Sequence, residues 1–116
     1  WGGAAQAARP AETRRCVGLR DIDRTTIADD RTILFYMKNR AIYENRLPHA
    51  CPGLERQGKF MYRVALDQLC DVDTINVLED YGFAFVQGAA CGLGVFAPID
   101  PAAAEALLSR KVAPRR

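Results

Sequence analysis

Thr32-Ile33-Leu34-Phe35-Tyr36-Met37 decides the fold class. It is dominated by β-branched and aromatic side chains, and it has the length of a strand rather than of a helix. Lys38-Asn39-Arg40 follows as a turn in which Asn39 tolerates positive φ. Ala41 to Leu47 returns as the partner strand and completes a hairpin. Pro48 ends the pairing because it has no N–H to donate.

On the N-terminal side, Val17 to Ile22 and Thr25 to Ala28 read as two further strands, with Asp29-Asp30-Arg31 turning into the decisive run. On the C-terminal side, Pro48 to Lys59 reads as a loop. Phe60, Tyr62, Val64 and Leu66 then alternate with Met61, Arg63 and Ala65, the period of a half-buried strand. Thr74 to Leu78, a turn at Glu79-Asp80-Tyr81-Gly82, and Phe83 to Val86 read as another hairpin. Gly88 to Gly94 reads as a tight connection, and Cys91 to Phe96 closes the β part. Asp100 is suited to an N-cap and Pro101 to the first helical position, which predicts a short helix over Ala102 to Ser109. With an offset of fifty residues, Asp21, Asp23, Asp30 and Phe35 match Asp71, Asp73, Asp80 and Phe85, an echo of strand, acidic turn and strand.

These elements predict an all-β domain: a small antiparallel barrel or sandwich of about six to seven short strands with a short C-terminal helix. At 116 residues the chain forms one such domain. Residues 1–15 read as a flexible N-terminal segment, 16–99 as the β domain, and 100–116 as helix and basic tail.

The four cysteines, Cys16, Cys51, Cys70 and Cys91, form no C-x-x-C pair, so the common zinc and thioredoxin spacings are absent. They read as two disulfides, which implies an oxidising compartment, periplasmic or secreted. The expected pairing is Cys51–Cys70 and Cys16–Cys91; two other connectivities are open to the same residues. Closing the inner loop would contribute roughly 3 kcal/mol through the unfolded state. Trp1-Gly2-Gly3 does not open a basic region followed by an apolar one, so an exported protein would be met here as a processed or a trimmed chain.

The net charge of +2 is unevenly spread. Between Cys16 and Asp100 nine Lys and Arg face twelve Asp and Glu, leaving that region at −3, so the basic residues in excess belong to the two ends. A nucleic-acid binder is expected to carry its basic face on the fold, which excludes that partner class. No run approaches the roughly 20 apolar residues of a membrane span, although basic tails can touch a membrane surface.

Candidate functional residues are few. His49, the only histidine, sits in a loop, and Ser109, the only serine, sits in the terminal helix, so no nucleophile–base pair is readable and no enzyme is expected. Gly92-Leu93-Gly94 lacks the spacing of a phosphate loop. Asp21, Asp23, Asp71 and Asp73 offer oxygen ligands for a divalent metal or small-ligand site, but without a calcium-loop spacing; no metal or cofactor is expected. Arg20, Arg24 and Arg63 are the expected counter-charges. Most aromatics, Phe83 and Phe85 included, are assigned to the core by alternation. Tyr36, Tyr43 and Tyr81 are candidates for an exposed interaction face, with Trp1, Arg14 and Arg15 as docking residues.

Asp21-Ile22-Asp23-Arg24-Thr25, Asp30-Arg31-Thr32-Ile33-Leu34-Phe35, Tyr43-Glu44-Asn45-Arg46-Leu47-Pro48, Cys51-Pro52-Gly53-Leu54, Gln68-Leu69-Cys70, Val72-Asp73-Thr74-Ile75 and Cys91-Gly92-Leu93-Gly94, in that order, resemble a family of small exported proteins of α- and γ-proteobacteria. The resemblance spans residues 14–99 and omits the tails. It implies a periplasmic or envelope location with all four cysteines in the pattern, and no activity. The function expected is that of a non-catalytic accessory or interaction subunit with a protein partner in the envelope; the alternative is a small-ligand or metal-binding β domain.

Overall fold

The computed structural model describes residues 12–64 and 66–112, with side chains as far as Ser109. The strands are β1 (Cys16–Gly18), β2 (Ile22–Asp29), β3 (Thr32–Met37), β4 (Ile42–Arg46), β5 (Phe60–Tyr62), β6 (Gln68–Cys70), β7 (Thr74–Asp80), β8 (Phe85–Gly92) and β9 (Phe96–Ile99). A 3-10 turn spans Leu19–Asp21, and two α-helices are α1 (Leu54–Gln57) and α2 (Pro101–Val112).

The expectation of an all-β barrel or sandwich is corrected. The strands form three separate sheets, ordered β2-β3-β4-β9, β5-β7-β8 and β1-β6, and two helices accompany them, so the fold is mixed α/β. The physical reason lies in β3. Its residues are buried on both faces except for Tyr36, which is half-buried. Ile33, Phe35 and Met37 enter the main core, while Leu34 and Tyr36 point the other way, against Ile42, Ile99, Ala104, Leu107 and Leu108. A strand buried on both faces needs a layer on each side. Helix α2 supplies one; the β5-β7-β8 sheet contributes Ile75 and Val77 to the other, where the Phe35 ring meets Phe96 edge-on at 5.1 Å. Strands β1, β5 and β6 have three residues each, too few to close a barrel.

Other expectations shift locally. The first strand stops at Gly18, so Asp21 lies in the 3-10 turn and not on a strand face. Asn39 is not the residue with positive φ; Arg40 is, at 76°, while Asn39 Oδ1 accepts from the Ala41 N–H. The supposed loop 48–59 contains α1, flanked by Gly53 and Gly58 in the left-handed region. Its N-terminus is capped from a distance: Asp30 Oδ1 accepts from the Glu55 N–H at 2.8 Å. The strand expected over Phe60 to Leu66 ends at Tyr62, and Leu66 is exposed. Gly88 to Gly92 is no tight connection but the second half of β8. Helix α2 starts at Pro101, with Asp100 Oδ1 accepting from the Ala103 N–H as its cap.

All four cysteines are in disulfides, but the expected pairing is wrong. The bonds are Cys16–Cys70 and Cys51–Cys91. Cys16 and Cys70 are directly opposed in the β1–β6 ladder. Cys91 stands opposite Ile75 and packs against the core, where the fully buried Cys51 reaches it. The closed loops span 54 and 40 residues, each stabilising by about 4 kcal/mol in the chain-entropy account.

The fifty-residue echo corresponds to two hairpins, β2–β3 and β7–β8. Their environments diverge: Phe35 is fully buried and Phe85 is exposed.

Candidate functional site

The turn between β7 and β8 carries the densest exposed apolar surface in the described structure. Within Tyr81 to Val86, Phe83 is 91% exposed, Phe85 56%, Tyr81 55% and Val86 46%. Alternation assigned Phe83 and Phe85 to the core, but alternation only places residues on faces; it does not say that anything covers a face. The missed signal was concentration: four large apolar residues cluster in six positions beside Gly82.

The hairpin is built to hold these side chains out. The Tyr81 N–H donates to the Ala84 carbonyl at 3.0 Å, and the Gly82 N–H to Asp80 Oδ1 at 2.8 Å. Gly82 sits at φ 86°, a conformation that suits glycine. The base is tied to the chain around α1. Gln57 Oε1 accepts from the Asp80 N–H, the Lys59 carbonyl accepts from the Leu78 N–H, and the Lys59 ammonium lies 4.8 Å from the centre of the Phe85 ring. The Tyr81 hydroxyl donates to Glu79 Oε1 at 2.6 Å. That bond first, then the Glu79 charge, raise the phenol pKa above its ordinary 10.0; Arg56 acts in the opposite sense.

The other candidates are scattered. Tyr43, placed among exposed aromatics, is 5% exposed and belongs to the core. Tyr36 is half-buried under the Arg24 guanidinium, 4.1 Å from its ring centre. Arg14 is not loose: its N–H and carbonyl bond Phe96. Arg15 accepts from the Asp71 N–H and pairs with the Asp71 carboxylate at 3.1 Å. Trp1 lies outside the described residues.

Asp73 Oδ2 is used by the Cys70 N–H, and Asp23 stands 3.7 Å from Arg24. Arg20 pairs with Asp67 at 2.9 Å. Among the described residues no three or more His, Cys, Asp or Glu side chains come together as a metal site. His49 is exposed in the loop after β4, and Ser109 is exposed on α2. A surface cleft of about 630 Å³ lies between the β3–β4 turn and the start of α2, lined by Arg40, Ile42, Pro98 and Asp100 among others. Asp100 is already engaged there as the helix cap.

No protein-family model, curated protein or solved structure matches the chain. Among the described residues, no helix is long and apolar enough to cross a membrane.

Proposed function

We propose that the chain is a non-catalytic accessory subunit that engages a protein partner in the bacterial envelope, in the periplasm or outside the cell. The observation that carries this reading is the hairpin tip, with Phe83 91% exposed on a turn braced by α1 and Lys59. A protein gains nothing in stability from an aromatic ring left in water, and a clustered apolar patch rimmed by charge has the composition of an interface core. Arg56, Lys59, Glu79 and Asp80 provide that rim. The compartment is supported by the pairing of every cysteine, since such crosslinks persist where thiols are not kept reduced. The family resemblance over residues 14–99 points the same way.

In this reading the tip, rather than Arg14 and Arg15, makes the principal contact, because both arginines are bonded into the fold. The test is a photoreactive amino acid at position 83 in cells that carry the native partner. One discrete adduct is expected, absent when the photoreactive group is moved to Glu105 on α2. Equal labelling from both positions, or none from position 83, contradicts the proposal.

A further inference from the structure

The outer edge of β8 has a property distinct from the hairpin tip. Every other sheet edge in the described structure carries a feature that discourages pairing. Strand β2 bears Asp23, Arg24 and Asp29 and two breaks in register; β9 is short and contains Pro98; β1, β5 and β6 have three residues each. Strand β8 has eight residues, Phe85-Val86-Gln87-Gly88-Ala89-Ala90-Cys91-Gly92, with no charge and no proline. Among the described residues no strand pairs with its outer side.

Its one irregularity makes the edge self-complementary. Asn76 stands opposite Ala90 and Leu78 opposite Gln87, so Gly88 and Ala89 together face Val77. This extra residue brings Phe85, Gln87, Ala90 and Gly92 onto one face, because they oppose Asp80, Leu78, Asn76 and Thr74, alternate residues of β7. The hydrogen-bond phase agrees. The Tyr81 N–H to Ala84 carbonyl bond closes the ladder at one end, and the Leu93 N–H to Asp73 carbonyl bond at the other. Bonded and non-bonded pairs alternate in an antiparallel ladder. Counting inward from either end, Phe85, Gln87, Ala90 and Gly92 fall at non-bonded positions, with N–H and C=O directed outward.

We infer that β8 pairs antiparallel with β8 of a second copy about a two-fold axis, Phe85 opposite the other copy's Gly92 and Gln87 opposite its Ala90. In this register outward groups meet outward groups and the faces match. No charged residue meets a like charge, and each bulky end lies on the partner's small end. A Cβ built at Gly92 would meet nothing within 4 Å, which leaves open space for the Phe85 ring of the second copy; an aromatic ring over a glycine compensates the residue's missing side chain. Joining two three-stranded sheets in this way gives one continuous sheet, β5-β7-β8-β8-β7-β5. The inference stands whether or not a different protein binds the tip.

Sedimentation of the full chain across a concentration series, together with amide exchange, tests it. The wild type is expected to pass from monomer to dimer, with the Phe85, Gln87, Ala90 and Gly92 amides gaining protection as dimer forms. Ala90→Pro removes one outward N–H without touching the β7 ladder, and Gln87→Lys puts a charge on the edge; each is expected to abolish the dimer with the melting temperature of the monomer retained. Phe83→Ser is expected to leave the dimer intact, which separates this surface from the tip. A monomer at every concentration, a dimer that survives both edge variants, or exchange at these amides that ignores concentration overturns the inference. If Ala90→Pro does not fold, Gln87→Lys and the wild-type exchange data decide alone.

Discussion

Asn45 and Gly94 bind each other reciprocally across 49 residues of sequence: the Asn45 amide donates to the Gly94 carbonyl at 2.7 Å, and the Gly94 N–H donates to Asn45 Oδ1 at 2.8 Å. Asn45 is fully buried. The pair joins β4 to the β8–β9 connection and so fixes where the β7–β8 hairpin leaves the four-stranded sheet. Asn45→Ala leaves the part-buried Gly94 N–H and carbonyl without this partner, and each such group costs about 1–3 kcal/mol where water does not replace it. A loss of about 3 kcal/mol in denaturant unfolding is expected. Gly94→Ala should be at least as damaging, because its Cβ would collide with the Arg46 carbonyl oxygen.

The two disulfides differ in access. Cys16 and Cys70 are both half-buried, whereas Cys51 is fully buried. Limited reduction followed by alkylation and mass spectrometry should label Cys16 and Cys70 first. The double variant Cys16→Ala/Cys70→Ala is expected to fold with its unfolding free energy, read from denaturant titration, lowered by about 4 kcal/mol, the share of its 54-residue loop.

Asp30 caps α1 from 25 residues away. Asp30→Ala should cost about 1 kcal/mol, the usual loss for an N-cap. Asp30→Asn keeps an acceptor and is expected to recover most of it. Thermal unfolding of the two variants distinguishes a cap from a charge effect.

Tyr81 gives the hairpin a signature at high pH. Its pKa is raised by the hydrogen bond to Glu79 and by the Glu79 charge. The protonated phenol therefore favours the folded state. That contribution is complete below the ordinary tyrosine value of about 10 and is lost as pH climbs through the raised one. Glu79→Gln is expected to bring one tyrosine back toward the ordinary value in an ultraviolet titration; an unchanged titration would remove Glu79 as the cause.

Much of this architecture could be seen in the residues. The β3–β4 hairpin follows from Thr32 to Met37 and the turn after it, and α2 from Asp100-Pro101. What could not be seen depended on distant partners. Helix α1 needs Asp30, far off in the chain, and β6 exists because β1 lies beside it. The disulfide pairing follows from that same juxtaposition, which spacing does not encode. Strand β3 itself held an overlooked signal. An apolar run without alternation is a strand covered on both sides, and the predicted C-terminal helix was the available cover. The interaction surface escaped because Phe35 and Phe85 look alike in sequence, while one meets Phe60 and Phe96 and the other faces solvent beside Lys59.

A frame crosslinked at Cys16–Cys70 and Cys51–Cys91 carries the projecting β7–β8 hairpin. Peptide mapping of unreduced protein, isolated from cells with thiols blocked at lysis, tests it most directly. Those two linkages and no free thiol are predicted. Recovery of Cys16–Cys91 with Cys51–Cys70, or of four alkylated cysteines, would contradict it.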